Sequence, residues 1–315
     1  MNDILYLVVP CYNEEAVLPE TARQLEKRLC ELIVAGKCSE NSRILFVDDG
    51  SKDKTWDLIE QLHDTEPHVC GLRLTRNKGH QNALLAGLMT AREQADCAIS
   101  LDADLQDDIG VLGEFLDKFH DGCDVVYGVR KKRETDTFFK RTTAQGFYKF
   151  MKMMGVDIVY NHADYRLMSK RALDGLSEYG EENLFLRGIV PLIGYRSDCV
   201  YYDRRERFAG ESKYPLSKMI SFAVNGITSF SVKPLKITSN MGIIISILSV
   251  IGLLYALISK LCGSAVSGWT AIIASIWLLG GIQLICLGMV GTYVGKIYSE
   301  VKGRPRYRIE TFLKK

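Results

Sequence analysis

The sequence predicts an α/β protein in which helices cover both faces of a mostly parallel β-sheet, with a membrane segment after the sheet. Short apolar runs alternate with helical patterns through the N-terminal part of the chain, and polar residues gather directly after those runs. Two long uncharged segments lie near the C-terminus. Strands that alternate with helices favour a parallel sheet, and apolar segments of about 20 residues are typical of membrane-spanning helices.

Five apolar or β-branched runs are predicted to be strands, with helices between them. The strands are predicted at residues 4–9, 43–47, 70–74, 97–101 and 124–127, and the helices at about 15–35, 54–65, 80–94 and 109–121. Ligands of such sheets bind at the carboxyl ends of the strands, so the residues after each run are the candidates for function.

Composition limits the classes of function. The 315 residues are 47% hydrophobic, which is ample for a core, and a formal net charge of +2 gives no reason to expect a nucleic-acid partner. Nine scattered cysteines without a C-x-x-C pair favour a reducing compartment over a zinc site or a disulfide framework. The apolar N-terminal run lacks a preceding basic region and leads into Glu14 and Glu15, so we interpret it as a strand of a cytoplasmic domain.

The polar segments after the five strands are PCYNEE, DDGSKDKT, RNKGHQNA, DADLQDD and GVRKKR. The chain has neither G-x-G-x-x-G after the first strand nor G-x-x-x-x-G-K-[ST], which argues against a dinucleotide dehydrogenase and a P-loop NTPase. A phosphate-bearing ligand would therefore be held in another way, and a metal ion between carboxylates is one alternative.

The segment LDADLQ supplies candidate metal ligands. Asp102, Asp104 and Gln106 alternate, so in extended backbone they would project to one side and offer hard oxygen atoms suited to Mg²⁺ or Mn²⁺. A solvated turn is the alternative, since D-x-D alone is common. Asp107 and Asp108 precede the fourth predicted helix and fit its N-terminal cap and first turn, where negative charge is favoured.

Two uncharged segments, 237–259 and 261–295, predict membrane spans at about 238–260 and 269–294; a pair of buried core helices is the alternative. Lysines 233 and 236 precede the first span, and the basic residues Lys296, Lys302, Arg304, Arg306 and Arg308 follow the second. The positive-inside rule then places both termini in the cytoplasm of a multi-pass protein of the plasma membrane.

Three regions are predicted: a cytoplasmic α/β domain at 1–210, a juxtamembrane segment at 211–236, and the two spans with a cytoplasmic tail at 237–315. Apolar residues recur at helical spacing in the juxtamembrane segment, with basic residues upstream and among them. This pattern indicates a helix that lies on an anionic membrane surface, and an ordinary domain-packing helix is the alternative.

An ordered set of motifs resembles a known family. VVPCYNEE, FVDDGSKDKT, TRNKGHQNALLAG and LDADLQDD resemble the GT-A domain of family-2 glycosyltransferases. NHADYRLMSKRAL, ENLFLRGI, RFAGESKYPLSK and the two closing spans are similar to polyisoprenyl-phosphate glycosyltransferases. The resemblance covers nearly the whole chain, and the set in order is much more specific than any one piece.

The resemblance implies a role for each matching residue. The nucleotide sugar would contact Asp102 and Asp104 together with Pro10, Tyr12, Asn13, Glu14, Asp49, Lys78 and Gly79. Asp102, Asp104 and Gln106 would hold the metal, and Asp164 matches the position of the catalytic carboxylate, with Glu181 and Glu182 as rivals. His80 lies by the donor pocket in the family pattern, and helix capping is an equal alternative to a chemical role. The lipid phosphate would bind to a basic cluster, namely Arg130, Arg133, Arg141, Arg207 and Lys213.

The implied reaction is an inverting, metal-dependent transfer of a hexose from a nucleotide sugar to undecaprenyl phosphate, by an enzyme that is a tetramer in similar proteins. UDP-glucose is the first candidate donor, with UDP-N-acetylglucosamine, UDP-galactose, a modified arabinose donor and GDP-mannose as alternatives. A processive polysaccharide synthase is a rival, but the chain lacks Q-x-x-R-W and two spans are few for a channel. A non-catalytic membrane adaptor is a second rival, against which the intact LDADLQ motif and Asp164 argue.

Overall fold

The structure is a computed structural model, and it describes residues 3–131, 162–182, 184–203, 231–240, 242–245, 247, 251 and 268–315. The chain divides into two compact units. Unit 1 contains Met1–Tyr148, Ile158–Tyr214 and Arg304–Lys315, and unit 2 contains Lys149–Asp157 and Pro215–Gly303.

Unit 1 is built on one eight-stranded sheet with the order β7-β5-β6-β4-β1-β2-β3-β8. The strands are β1 (Leu5–Cys11), β2 (Arg43–Asp48), β3 (Val69–Leu74), β4 (Cys97–Ser100), β5 (Val125–Arg130), β6 (His162–Ser169), β7 (Ser197–Tyr202) and β8 (Ile309–Leu313). The central strands β4, β1, β2 and β3 are parallel, and so are β5 and β7. The predicted α/β architecture with a mostly parallel sheet is therefore confirmed.

The helices of unit 1 connect the parallel strands. They are α1 (Leu18–Val34), α2 (Thr55–Thr65), α3 (His80–Arg92), α4 (Leu112–His120), α5 (Lys170–Ser177) and α6 (Leu186–Leu192). The first four match the predicted helices, except that a 3₁₀ turn at Ile109–Val111 precedes α4.

The core lies between the central strands and these helices. Every residue of β1 is buried, as expected for a strand that is covered on both faces. Leu5, Leu7 and Val9 point to one face, where they join the core cluster that contains Leu18 and Leu25 of α1.

Three strands were not predicted, and each has an unexpected neighbour. β6 runs antiparallel between β4 and β5. β7 pairs in parallel with β5 at one edge of the sheet. At the other edge β8, close to the C-terminus, pairs antiparallel with β3. Residues 304–315 thus belong to the same unit as the N-terminal strands, whereas the sequence analysis grouped them with the membrane segment.

Unit 2 contains α7 (Trp269–Lys302), which covers the second predicted span. Among the described residues, one helical stretch, Leu278–Lys302, is long and apolar enough to cross a membrane. Its large apolar side chains, such as Leu284 and Ile285, are exposed. The first predicted span and the juxtamembrane segment lie mostly outside the described residues, although 233–240 is helical. The hydroxyl of Tyr293 on α7 donates to the carbonyl oxygen of Ser231 at 2.6 Å.

Candidate active site

The candidate site lies at the carboxyl edge of the central strands. Because β1, β2 and β4 are parallel, the loops after Cys11, Asp48 and Ser100 meet at one edge. β6 runs the opposite way, so the start of β6 reaches the same edge and brings Asp164 beside the end of β4. The hydroxyl of Ser100 donates to the carbonyl oxygen of Asp164 at 2.5 Å and fixes this junction.

The predicted metal ligands lie on a turn and not on extended backbone. β4 ends at Ser100, and Leu105 adopts a positive φ of 55°, so the expected alternation on one strand face is wrong. The turn still links two of the three residues, since the backbone N–H of Gln106 donates to Asp104 Oδ1 at 3.1 Å. The side chain of Asp102 is 37% exposed and so remains open to a ligand.

Electrostatics distinguish Asp102 from an ordinary surface aspartate. Partial burial raises the pKa of Asp102 to about 6; His80 opposes this shift, and the carboxylates of Asp107, Asp164 and Asp104 add to it. A cation bound at this turn would relieve the repulsion among these carboxylates.

Asp107 is not part of the helix cap that the sequence suggested. Its side chain is buried and accepts hydrogen bonds from the hydroxyl of Tyr202 at 2.5 Å and from Arg130 Nη2 at 3.3 Å. The capping prediction holds for Asp108 alone, whose side chain accepts from the backbone N–H of Gly110 at 3.0 Å. Arg130, which was predicted to bind the acceptor phosphate, therefore ties β5 to Asp107, the residue that follows the turn at 102–106.

Asp164 is almost completely buried between two arginines. Its Oδ1 accepts from Arg166 Nη2 at 2.6 Å and from Arg187 Nε at 3.2 Å, and its Oδ2 accepts from Arg187 Nη2 at 3.1 Å. Burial alone would raise the pKa of Asp164, but His80, Arg187 and Arg166 outweigh that effect and hold the pKa well below its usual range. The carboxylate is therefore ionised at neutral pH.

His80 connects the turn at 102–106 to Asp164. Its Nε2 lies 3.6 Å from Asp102 and 3.7 Å from Asp164, and its side chain is 44% exposed. Burial opposes a charge on the ring, but the two carboxylates prevail and raise the pKa of His80. His80 is also the first residue of α3, but Gly79 occupies the N-cap position, so the structure gives no support to a capping role for His80.

The loop after β1 is joined to the loop after β2. The backbone N–H of Asn13 donates to Ser51 Oγ at 2.9 Å, and Asn13 Oδ1 accepts from the backbone N–H of Lys52 at 2.9 Å. The N–H of Glu14 donates to the hydroxyl of Thr55 at 2.9 Å. These contacts hold Asn13 at a positive φ of 54°, a conformation that Asn tolerates better than most residues.

Asp49 holds the loop that carries Lys78 and Gly79. Its two carboxylate oxygens accept the backbone N–H groups of Lys78 at 2.7 Å and Gly79 at 2.8 Å, and the residue is only 2% exposed. Asp49 thus supports the predicted donor pocket from beneath, and its contact with a nucleoside stays a prediction. Pro10 is buried in β1, whereas Tyr12 beyond it is 40% exposed.

Several predicted residues lie outside the described part of the chain, namely Arg133, Arg141, Arg207 and Lys213. Glu181 and Glu182, the rivals of Asp164, are half-buried in the segment between α5 and α6. Their role stays a prediction.

The sequence analysis did not select Gln81, Arg166 or Arg187, all of which contact Asp164. One signal was available, because Asp164 and Arg166 alternate in NHADYRLM as strand residues that share a face. Arg187 lies in the motif ENLFLRGI, but it comes from α6 and not from β6, so no local pattern indicates its contact with Asp164.

A second group of metal-type ligands lies away from this site. Among the described residues, Glu26, Cys30 and His68 form the one set of three His, Cys, Asp or Glu residues whose ligand atoms lie within 4.8 Å of one another. His68 directly precedes β3 and so lies at the amino-terminal ends of the parallel strands, opposite to the candidate site. Its Nδ1 forms a hydrogen bond of 2.6 Å with Glu26. This hydrogen bond explains why two of the three side chains lie close together.

Comparisons with known proteins identify the family of this chain. A family model described as glycosyl transferase family 2 matches residues 6–176, which include most of the residues discussed above. An uncharacterized glycosyltransferase of Bacillus subtilis (strain 168), YkoT, is 55% identical over 307 residues, covering 98% of this chain and 91% of the relative. The bactoprenol glucosyl transferase of Shigella phage SfII is 39% identical and covers 96% of both chains.

A solved structure, mannosyl-3-phosphoglycerate synthase from Rubrobacter xylanophilus, gives a TM-score of 0.47 at 18% identity, over 72% of this chain and 73% of that one. This likeness is too low to bear on function. The family model and the relatives that match nearly end to end are sufficient: this chain belongs to glycosyltransferase family 2 and is a glycosyltransferase.

Proposed function

We propose that this glycosyltransferase transfers glucose from UDP-glucose to undecaprenyl phosphate at the cytoplasmic face of a membrane. The observation that carries the proposal is the 39% identity to a bactoprenol glucosyl transferase over 96% of both chains. Similarity of that extent includes the C-terminal apolar region as well as the α/β domain. A lipid acceptor explains why an α/β domain and an apolar region occur in one chain.

The donor would bind at the carboxyl edge of the central strands. Asn13 and Asp49 stabilise two of the loops there, and Asp49 fixes the backbone of Lys78 and Gly79 with two charge-assisted hydrogen bonds. A site that is ordered before the ligand arrives loses less entropy on binding.

The turn at Asp102, Asp104 and Gln106 suits a divalent ion. It supplies two carboxylates and an amide, which are hard oxygen ligands of the kind that Mg²⁺ and Mn²⁺ prefer. The pKa of Asp102 is raised to about 6, first by burial and then by the neighbouring carboxylates, whose repulsion a cation would relieve. When bound, the ion would offset the negative charge that grows on the leaving diphosphate.

The transfer itself requires one bond to form and one to break. An oxygen of the acceptor phosphate attacks C1 of the sugar, and the C1–O bond to UDP breaks with its electron pair leaving on UDP. Attack from the face opposite to UDP inverts the configuration at C1. Arg130 donates a hydrogen bond to Asp107 and so lies near the proposed metal-binding turn. A guanidinium in this position favours the binding of the incoming phosphate.

The strand pairing supports a membrane topology with two spans. β8 follows α7 in sequence, yet it pairs with β3 of the α/β domain. The residues on either side of the membrane segment therefore lie on one side of any membrane that α7 crosses. A chain that returns to its starting side crosses an even number of times, which fits the two predicted spans.

A donor panel tests the proposal. Membranes that contain the protein would be incubated with undecaprenyl phosphate and, one at a time, UDP-glucose, UDP-galactose, UDP-N-acetylglucosamine, a nucleotide-linked modified arabinose and GDP-mannose. We expect a lipid product one hexose heavier, by mass spectrometry, with UDP-glucose. A lipid product formed from another donor would change the assigned sugar and leave the assigned acceptor unchanged. A polymeric product would indicate a processive polysaccharide synthase. A complete absence of lipid product would overturn the proposal.

A further inference from the structure

Asp164 is the centre of a buried group that we call the Asp164 network, formed by Gln81, Asp164, Arg166 and Arg187. Besides the arginine contacts, Asp164 Oδ2 accepts from Gln81 Nε2 at 3.3 Å. Each carboxylate oxygen therefore already accepts two hydrogen bonds, and the residue is 6% exposed. A general base needs an open lone pair within reach of the proton that it removes, and this arrangement offers none.

The Asp164 network also fixes the first residue of α6. The backbone N–H of Leu186 donates to Gln81 Oε1 at 3.1 Å, and the carbonyl oxygen of Leu186 accepts from Arg166 Nη1 at 3.3 Å. Both Gln81 and Arg166 are held by the same carboxylate. Asp164 thus determines where α6 begins and where Arg187, the next residue, is directed.

Arg187 is the member of the network that reaches solvent. Its side chain is 32% exposed, whereas the side chain of Arg166 is 1% exposed. The Nε and Nη2 atoms of Arg187 form a two-point contact with Asp164, which fixes the plane of the guanidinium as well as its position. Asp164 also lies 3.7 Å from His80, which borders Asp102, so this guanidinium lies at the candidate active site.

We propose that Asp164 is a positioning residue and not the catalytic base: it anchors Arg187 and the start of α6 so that Arg187 contacts a substrate phosphate. This inference rests on the proposed transfer to a lipid phosphate. The acceptor phosphate has a second pKa of about 6, as a phosphate monoester, and is largely a dianion at neutral pH. The dianion attacks C1 without losing a proton, so the reaction leaves no proton for Asp164 to accept. The depressed pKa of Asp164 agrees with this role.

The pH dependence of Asp164→Asn tests the proposal. The donor used would be the one that gives product with the unaltered protein, so a wrong sugar assignment cannot be mistaken for a wrong role. We expect kcat/KM to fall about 10- to 100-fold through loss of a charged hydrogen-bond partner, while a fall in rate at acid pH remains, because protonation of the acceptor phosphate still lowers the rate. Disappearance of that acid limb in Asp164→Asn would show that Asp164 is the base.

A second variant keeps the test decisive if Asp164→Asn does not fold. Arg187→Gln leaves the carboxylate in place beside Arg166, and we expect a loss of similar size with an unchanged acid limb, most of it in the KM for the lipid phosphate. If Asp164 were the base, removal of a neighbouring cation would raise its pKa and move the acid limb to higher pH. Such a shift would overturn the proposal, as would full activity of Arg187→Gln.

The chain offers a matched control in Arg23. This arginine makes the same two-point contact with a carboxylate, through Nε at 2.8 Å and Nη2 at 2.6 Å to Glu20, but on the exposed surface of α1. We expect Arg23→Gln to leave kcat and KM unchanged. Arg187→Lys adds a further readout, because lysine keeps the charge and loses the fork, so it should recover only part of the activity.

Discussion

The hydroxyl of Tyr202 donates a hydrogen bond of 2.5 Å to the carboxylate of Asp107, and both residues are buried. Tyr202 ends the edge strand β7, whereas Asp107 follows the turn with the predicted metal ligands. This contact therefore couples the edge of the sheet to the position of that turn.

Tyr202→Phe should loosen the turn without changing its chemistry. The substitution removes two hydrogen bonds, the one to the buried carboxylate of Asp107 and the one of 3.2 Å that Arg130 Nε donates to the hydroxyl. Loss of the bond to the buried carboxylate costs about 1–3 kcal/mol of stability. We expect weaker apparent metal affinity with a small change in kcat at saturating metal. Tyr201→Phe is the control, since Tyr201 is 59% exposed on the same strand. Equal metal dependence of the two variants would contradict the coupling.

Asp104→Ala should remove metal-dependent turnover. Loss of one charged ligand is expected to reduce kcat/KM by about 100-fold or more, given that a metal ion contributes several kcal/mol to stabilisation of such charge. Asp108→Ala, in the same loop, removes the cap at Gly110 and should cost about 1 kcal/mol of stability with activity retained. Unaltered turnover in the presence of EDTA would refute the metal assignment.

Gly50→Ala should be much more destabilising than Gly36→Ala. Both glycines have a positive φ, 66° and 67°, so both variants carry the cost of about 1–2 kcal/mol for a left-handed conformation. At Gly50 an added Cβ would also lie 2.7 Å from the backbone of Arg76 and Asn77, whereas at Gly36 it would meet nothing within 4 Å. Thermal unfolding of the two purified variants measures the difference, and equal melting temperatures would contradict it.

The stability of the protein should depend on pH through Asp164. The folded state holds the pKa of Asp164 well below its usual range, so the ionised carboxylate contributes stability that is complete above about pH 4 and is lost as the pH falls below that value. We expect Asp164→Asn to lower the urea midpoint at pH 7 more than at pH 3. A constant difference between the two proteins over this range would contradict the assignment.

The topology has a direct test in C-terminal fusions. Because β8 pairs with β3, we expect a fluorescent protein fused after residue 315 to fluoresce and an alkaline phosphatase fused there to be inactive in cells, as for a cytoplasmic terminus. An active phosphatase fusion would be incompatible with the combination of this pairing and the proposed cytoplasmic α/β domain. A phosphatase inserted between the two predicted spans, near residue 265, is the positive control.

Local patterns in the sequence sufficed for the central strands and for the four helices α1 to α4, since each depends on a few consecutive residues. They did not suffice for contacts between distant segments. Asp107 was predicted to cap a helix because it stands beside Asp108, which does so. Asp107 instead accepts a hydrogen bond from Tyr202, which comes 95 residues later. Likewise β8 has no local feature that would pair it with β3, because the reason for that pairing is an open sheet edge formed far upstream.

The position of β8 has a consequence for biosynthesis. The ribosome makes β3 early and its partner strand only after α7, so the sheet cannot be completed until the apolar segment has left the ribosome. During that interval β3 presents an unpaired edge, which is a site of aggregation in many sheet proteins. Under the proposed membrane topology, synthesis of α7 therefore precedes the last step of domain folding, and a chain that stalls before β8 is made would display an incomplete sheet to chaperones and proteases.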